Sequence, residues 1–218
     1  MPPSHRAIFD DIYRRGSWGC AETVSGPGST RERAAAFRDD LAALLRSLGT
    51  RVLLDAGCGD FNWMGDVAGA VDAYVGVDVV PGLVEANARH HGRRGRNFLC
   101  RDVTTDPLPR ADVILCRDCL VHFSLADVRL ALDNFARSGS TYLVTTTFID
   151  TATNEEIATG GWRPLNLERP PFSFPPPLAT VDERCLHTGG AYRSKRFAAW
   201  ALASLPRRAP SAGGLAPR

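Results

Sequence analysis

The stretch RVLLDAGCGDFNW, residues 51–63, decides the fold of this chain more than any other segment. Its apolar run ends in an acid, Asp55, and two glycines follow at alternate positions, Gly57 and Gly59. This pattern is typical of a buried parallel strand that enters a tight loop whose backbone comes close to a ligand. We therefore predict a strand over 51–56 and a ligand-binding loop directly after it.

A second apolar run, YVGV, also ends in an acid, Asp78. In Rossmann-like sheets an acid at the tip of the second strand binds ribose hydroxyls. The two runs together predict a nucleoside-containing ligand at the carboxyl ends of the first two strands. A nicotinamide-binding domain fits less well, because its G-x-G-x-x-G/A pattern requires a glycine or an alanine where this chain has Asn62.

Strand and helix patterns alternate along most of the chain, which favours a parallel sheet covered on both faces. We predict an α/β fold with a Rossmann-like, doubly wound, mostly parallel seven-stranded sheet in a single domain. The predicted strands are 51–56, 73–78, 97–100, 111–116, 141–148, 178–185 and 196–205, and the predicted helices include 30–48, 62–68, 82–91 and 125–137.

Outside the sheet, the composition divides the chain into further segments. Residues 1–50 are predicted to form an N-terminal helical and lid segment, and residues 51–205 the ligand-binding domain. Within that domain, 149–177 holds a cluster of prolines, which excludes a regular helix or an interior strand and predicts an irregular insertion on the substrate side. The tail, 206–218, is predicted to be disordered.

The net charge and the composition of the chain exclude several classes of protein. The net charge is only +2, so no polyanionic partner is required. The 26 lysine and arginine residues include a single lysine, Lys195, which we interpret as codon bias. No leader segment and no run of about 20 apolar residues is present, so we expect a cytoplasmic protein that does not enter a membrane and keeps its six cysteines as thiols. Cys116 and Cys119 lack a second such pair, so no metal is expected.

From about Arg51 to Phe148 the chain resembles the class I S-adenosylmethionine-dependent methyltransferases. The family's first motif is an acid, any residue, then G-x-G-x-G, and here it stands as DAGCGDF, with Phe61 at the place of the last glycine. The family also has an acid after each of the next two strands, here Asp78 and Asp102. The segment ADVILCRDCLVHFS resembles the family's segment after the fourth strand, and His122 fits its histidine.

This resemblance implies S-adenosylmethionine as the cofactor. The two glycines would approach its methionine part, Asp55 its amino group, and Asp78 its ribose. Asp102 would bind the adenine amine with Val103 beside the ring, and Cys116 or Arg117 would lie near the sulfonium. The full predicted cofactor set is Asp55, Gly57, Gly59, Asp60, Asp78, Asp102, Val103, Cys116 and Arg117.

Methyl transfer to an oxygen requires a proton acceptor, and His122 is the first candidate because the ordinary pKa of histidine lies near neutrality. The alternative is a packed histidine with one ring nitrogen bound to the backbone. Asp118 is the second candidate, and its alternative role is helix capping or hydrogen bonding within the loop.

The acceptor side is predicted from three segments outside the sheet, 18–30, 159–174 and 192–195. They offer flat apolar surfaces, a cation and an amide, a mixture that suits an anionic or polyhydroxylated small molecule. Alternatively, Trp162 and the prolines only cover the edge of the sheet. The predicted substrate residues are Trp18, Trp162, Arg163, Asn166 and Tyr192.

We therefore expect a methyltransferase acting on a small metabolite or a sugar-containing compound, at oxygen rather than nitrogen. A nucleic-acid substrate is disfavoured because RDCL, residues 117–120, is not the Asn/Asp-Pro-Pro-aromatic motif of amino-directed DNA enzymes, and no basic stripe is visible. A protein substrate and a non-catalytic cofactor-binding scaffold are the remaining alternatives.

Overall fold

The computed structural model describes residues 3–185 and 188–206. Seven strands form one sheet in the order β3-β2-β1-β4-β5-β7-β6. The first five strands pair in parallel, whereas β7 runs antiparallel to both of its neighbours. The predicted fold class is confirmed. The strands are β1 Val52–Ala56, β2 Ala73–Asp78, β3 Arg96–Cys100, β4 Val113–Cys116, β5 Tyr142–Phe148, β6 Ala179–Asp182 and β7 Lys195–Ala201.

The helices follow the predicted pattern with one exception. The helix predicted over 30–48 is two helices, because the backbone leaves the helical region at Phe37 (φ −127°, ψ −11°). The ring of Phe37 is buried there, 5.2 Å from the ring of Phe197. The helices are α1 His5–Arg15, α2 Arg31–Ala35, α3 Arg38–Ser47, α4 Gly65–Ala68, α5 Pro81–His91 and α6 Leu125–Arg137.

The sheet is apolar on both faces, as a parallel sheet between two helical layers must be. Leu53 packs into one core with α3, and its neighbour Leu54 packs into the other core with α6. Because consecutive side chains of a strand point to opposite faces, the unbroken apolar run of β1 supplies both cores. The carboxyl end of β1 is thereby held rigidly from both sides.

Residues 149–177 contain neither helix nor strand, as their prolines predicted. The segment is nevertheless tightly packed, since Leu165, Leu167 and Phe174 are buried in the core beneath α6. The side-chain amide of Asn154 donates to the carbonyl oxygens of Asn166 and Pro170, both at 2.9 Å, and supplies hydrogen bonds that regular structure would otherwise provide.

Two further predictions concern the C-terminal tail and membrane-spanning helices. The predicted disordered tail lies, from residue 207 onward, outside the described residues. Across 3–185 and 188–206, no helix combines the length and the apolar character that crossing a membrane requires.

Candidate functional site

A cavity opens at the carboxyl ends of β1, β2 and β4. The sheet order places β1 between β2 and β4, so the loops that follow these strands meet at one edge. Eight of the nine predicted cofactor residues line this cavity, whereas Cys116 does not. Those eight are Asp55, Gly57, Gly59, Asp60, Asp78, Asp102, Val103 and Arg117.

The loop after β1 is built so closely that only glycine fits at two positions. Gly57 and Gly59 both have positive φ, at +82° and +56°. A Cβ atom on Gly57 would lie 2.9 Å from the side chain of Cys119, and one on Gly59 would lie 2.2 Å from Oγ of Ser25. The glycines therefore let neighbouring segments close around the loop.

Phe61 takes the backbone conformation that the absent third glycine would supply. Its φ is +58°, a region that costs an L-residue about 1–2 kcal/mol. The ring is buried and makes edge contacts with Tyr74 and Phe98 at 5.2 and 5.4 Å, and the guanidinium of Arg96 lies over its face. Because aromatic burial offsets the strain, the glycine loop keeps its shape without the third glycine.

Asp55 lies at the end of β1, and its carboxylate is buried beneath the loop. The hydroxyl of Tyr74 donates to Oδ2 of Asp55 at 2.6 Å. Burial raises the pKa of Asp55 to about 7, although the hydrogen bond from Tyr74 acts in the opposite direction. The acid is therefore poised to gain or lose a proton near neutral pH.

Asp78 ends β2 and is held by the backbone. Its Oδ2 accepts from the amide of Gly59 and its Oδ1 accepts from the amide of Val80, both at 3.1 Å. Burial raises the pKa of Asp78, and these backbone bonds oppose the rise. A carboxylate oxygen has more than one acceptor site, so the side chain can still bind hydroxyl groups in the cavity.

Asp60 has a role that sequence reasoning did not foresee. Its carboxylate accepts from the hydroxyl of Thr23 at 2.9 Å, the amide of Val24 at 3.0 Å and the hydroxyl of Ser25 at 3.3 Å. Both oxygens are thus engaged by the segment 16–30, which connects α1 to α2. Although Asp60 lines the cavity, its polar atoms fasten a loop.

The N-terminal segment covers the cavity. The loop 16–30 is fastened by Asp60, and α1 contributes apolar side chains to the cavity wall. Trp18 was predicted to line the site and does so, but the contribution of α1 was missed. Phe9 and Tyr13 are four positions apart in α1 and therefore lie on one face of the helix. This apolar face is the sequence pattern that could have predicted that α1 packs over the site.

His122 lines the same cavity, in the short turn that follows β4. Its Nδ1 lies 2.7 Å from the carbonyl oxygen of Gly161, which can only accept, so Nδ1 carries the hydrogen. Burial lowers the pKa of His122, so the ring is neutral near pH 7. Trp18 stacks on the ring with 4.4 Å between centroids. Within 3–185 and 188–206, Nε2 has no hydrogen-bond partner and can act as an acceptor.

Asp118 also lines the cavity and belongs to a buried group of charges. Its Oδ2 lies 2.6 Å from Nζ of Lys195 and 3.3 Å from the guanidinium of Arg117. Glu183 completes the group, 3.0 Å from Arg117 and 3.1 Å from Lys195. Lys195 was predicted only as the end of the acceptor segment 192–195, and Glu183, which follows β6, was not predicted as a site residue.

The predicted substrate residues Arg163 and Asn166 lie away from the cavity, which corrects our interpretation of them. Arg163 is buried, and its guanidinium donates to carbonyl oxygens around the turn that holds His122. The amide of Asn166 donates to the carbonyl oxygens of Ile149 and Thr151 at 3.2 and 3.0 Å. Both side chains are occupied by backbone groups and are not available to a ligand there.

Three further predicted residues are also absent from the cavity wall. Trp162 is 42% exposed and packs against Tyr192, 5.0 Å between ring centroids, and against Phe148. This matches the alternative in which the aromatic side chain covers the edge of the sheet. Cys116 is fully buried within β4, and Cys119, which was not predicted as a site residue, lines the cavity instead.

Among residues 3–185 and 188–206, no cluster of three or more histidine, cysteine or acidic side chains is arranged to bind a metal ion.

Comparisons with known proteins concern the sequence family and the fold of this chain. The sequence profile of a methyltransferase domain family matches residues 53–139. A search of curated proteins finds no match. The fold is similar to that of a magnesium protoporphyrin IX methyltransferase from Synechocystis, solved with bound S-adenosylmethionine, at 17% identity and a TM-score of 0.52, covering 72% of this chain and 80% of that one.

A second solved structure shows the same fold. It is the N-methyltransferase NodS from Bradyrhizobium japonicum, at 16% identity and a TM-score of 0.52. The match covers 76% of this chain and 96% of that chain.

Proposed function

We propose that this chain is a class I S-adenosylmethionine-dependent methyltransferase and that it methylates an oxygen atom of a small molecule, either a metabolite or a sugar-containing compound. The observation that carries the proposal is His122, a neutral histidine whose Nε2 is a free acceptor in the cavity. An alcohol or phenol must lose a proton as it is methylated, and such a ring nitrogen can accept that proton.

The residues of the cavity fit the cofactor. A Cβ atom on Gly57 or Gly59 would collide with Cys119 or Ser25, two residues of the cavity wall, and this supports a loop shaped for close approach to a ligand. Asp78, at the tip of β2, would hold the ribose hydroxyls, and Asp55 would face the amino group. S-adenosylmethionine supplies a methyl group activated by a sulfonium, and the protein supplies binding and orientation.

The chain's own residues account for the rest of the mechanism. Gly161 fixes the tautomer of His122, so the proton of the acceptor hydroxyl can pass to Nε2. Trp18 stacks on the imidazole and limits its rotation. The cover formed by α1 and the loop 16–30 would exclude water and restrict the acceptor to a small molecule.

The experiment that tests this proposal uses S-adenosylmethionine with a tritiated methyl group and a cell extract separated into small-molecule, protein and nucleic-acid fractions. We expect label in the small-molecule fraction. His122→Ala should reduce the rate by about 10²–10⁴-fold and leave the affinity for S-adenosylhomocysteine unchanged. His90→Ala is the matched control, since His90 is exposed at the end of α5.

Two outcomes would contradict the proposal. Label confined to the protein or nucleic-acid fraction would exclude a small-molecule acceptor. A wild-type rate for His122→Ala would exclude proton removal by this residue and would favour an acceptor that needs no base.

A further inference from the structure

Lys195 is the only lysine in a chain with 26 lysine and arginine residues, and it is buried. Codon bias explains why the other basic positions are arginine, but it does not explain why position 195 is a lysine. The Nζ of Lys195 lies 2.6 Å from Oδ2 of Asp118 and 3.1 Å from Oε2 of Glu183. A compact ammonium can bind two carboxylates at once in a narrow space, whereas the larger planar guanidinium has a fixed fork.

The charges around Lys195 balance. Arg117 and Lys195 provide two cations, and Asp118 and Glu183 provide two anions. The Arg117 guanidinium also donates to Oγ of Ser29 at 3.1 Å and to the carbonyl oxygen of Gly28 at 2.9 Å. Because both cations are neutralised by neighbours, the group does not offer a free positive charge to an anionic ligand.

Arg117 and Asp118 both line the cavity, but the side chain of Arg117 is only 6% exposed, against 26% for that of Asp118. The φ of Asp118 is +49°, which is unusual for a residue other than glycine, and its amide donates to Oγ1 of Thr146 at 3.0 Å. Strained backbone of this kind persists only where the surroundings hold it, and it is concentrated at functional sites. Asp118 combines this strained backbone with a side chain that lines the cavity.

Only one oxygen of that carboxylate is committed. Oδ2 binds Lys195 and Arg117, whereas Oδ1 has no partner among the described residues. The side chain is 26% exposed, in contrast to 7% for Lys195 and 1% for Glu183. Asp118 thus presents one fixed acceptor oxygen to the cavity.

Asp118 is poorly suited to accept a proton, which corrects its prediction as a second catalytic base. Burial acts to raise the pKa of its carboxyl, but the charges of Lys195 and Arg117 outweigh this effect and hold the pKa well below its usual range. The group therefore stays ionised and can serve in recognition.

Asp118 and His122 have one property in common on this side of the cavity, where the guanidinium of Arg117 is already paired with Asp118 and Glu183. Asp118 Oδ1 and His122 Nε2 are both hydrogen-bond acceptors, and the two side chains are close enough for each to influence the charge of the other. A ligand carboxylate placed here would meet a permanent negative charge, whereas a donor would be stabilised.

We propose that Asp118 selects acceptor molecules that carry a second hydrogen-bond donor, either a hydroxyl or a protonated amine, and that Lys195 and Glu183 position it for this purpose. This inference rests on the proposed function, because His122 must take the proton of the methylated hydroxyl. Of the two expected substrate types, anionic and polyhydroxylated, it favours the polyhydroxylated one, because the anionic one depended on Arg163.

The test uses two pairs of phenols that differ only in the second group. Catechol is compared with salicylate, and tyramine with 3-(4-hydroxyphenyl)propionate, each with tritiated S-adenosylmethionine. We expect kcat/KM to favour catechol and tyramine over their carboxylate partners. Asp118→Asn should reduce that preference about tenfold or more, mainly through KM, and leave the affinity for S-adenosylhomocysteine unchanged.

Lys195→Met and Lys195→Arg should reduce the preference in the same direction, because each releases Oδ2 of Asp118 from its ammonium partner. Arg196→Met is the matched control, since Arg196 pairs with Asp182 at the surface. Circular dichroism of each variant checks folding, and Glu183→Gln offers a second, milder change that keeps the side-chain shape.

Three outcomes would overturn the inference. Preference for the carboxylate probes would show that the site is not selective for donors. A loss of S-adenosylhomocysteine affinity in Asp118→Asn without a change in preference would assign Asp118 to the cofactor. Binding of S-adenosylhomocysteine without turnover of any probe would exclude this substrate class, whereas absence of that binding would instead refute the proposed function.

Discussion

His5 and Asp102, 97 positions apart in the chain, are joined by a 2.9 Å contact between Nδ1 and Oδ2. The other ring nitrogen of His5 lies 3.1 Å from Oδ2 of Asp127, at the start of α6. Thr104 also contacts Nδ1 at 3.2 Å, and the ring of Phe123 stacks on the imidazole. The first residue of α1 is therefore fastened to two acids of the domain that α1 covers.

The first prediction is that this attachment weakens as the pH rises. The hydrogen bond with Asp102 and the two carboxylate charges raise the pKa of His5, and burial opposes the rise only partly. A histidine whose pKa is higher in the folded state than in the unfolded state stabilises the folded state fully below its unfolded-state pKa of about 6.5. This stabilisation is lost as the pH rises through the folded-state pKa. The charged bonds should contribute about 1–3 kcal/mol to docking of α1.

Stopped-flow release of S-adenosylhomocysteine measures this effect. We expect release from the wild type to be faster at about pH 8.5 than at about pH 6. In His5→Gln, which keeps hydrogen bonding but not the charge, release should be fast at both values. A pH dependence that is the same in both proteins would contradict the role of His5.

The second prediction concerns Asp55, whose pKa is raised to about 7 in the cofactor-free protein. The cofactor's amino group is positively charged near neutral pH, so binding beside Asp55 favours the carboxylate and should release a proton. The His5→Gln variant isolates this effect, because its α1 attachment no longer weakens as the pH rises. The affinity of that variant for the cofactor should therefore rise by up to about tenfold between about pH 6 and about pH 7.

Calorimetry at about pH 6.5 in two buffers with different ionisation enthalpies counts the released protons. Asp55→Asn should bind more weakly and release fewer protons than the wild type. Equal proton release by both proteins would show that another group, such as Asp78, is the one that titrates.

The third prediction is that restoring the family's third glycine destabilises this protein. Phe61→Gly relieves about 1–2 kcal/mol of backbone strain but removes a buried ring whose loss costs about 3–5 kcal/mol. We expect a net loss of about 1–4 kcal/mol in urea unfolding. Phe61→Leu, which keeps apolar volume and positive φ, should lose less, and a more stable glycine variant would show that the strain dominates.

The fourth prediction concerns Arg163, whose guanidinium donates to the carbonyl oxygens of Glu155, Leu120, Val121 and Phe123 at 2.9–3.2 Å. Arg163→Leu leaves buried carbonyl groups without donors, so unfolding free energy should fall by about 2–4 kcal/mol. Because the turn bearing His122 is then free to shift, the methylation rate should fall more than cofactor affinity.

Arg129→Leu is the control for this effect, since Arg129 is exposed and makes one bond to the carbonyl oxygen of Pro171. Circular dichroism during urea titration gives the stability, and tritium transfer gives the rate. Equal losses of stability in the two variants would contradict the special role of Arg163.

The sequence by itself determined the sheet and the order of its ligand-binding edge. Apolar runs such as that of β1 specify buried strands, and acids such as Asp55 and Asp78 follow them directly. Because parallel strands end at one edge of a sheet, local patterns bring these acids together without further information. Even the substitution at Phe61 left this result unchanged, since the residue adopts the required positive φ.

Only the tertiary structure decided which polar side chains face the cavity. Arg163 was predicted to bind a ligand, yet it is buried against carbonyl groups about 40 residues earlier in the chain. Lys195 was predicted to lie on the acceptor side with the segment 192–195, yet its ammonium group pairs with Asp118, 77 positions earlier in the chain. The sequence gives the charge of a residue but not the group with which it pairs. That partner depends on packing between segments far apart in the chain, which no local pattern encodes.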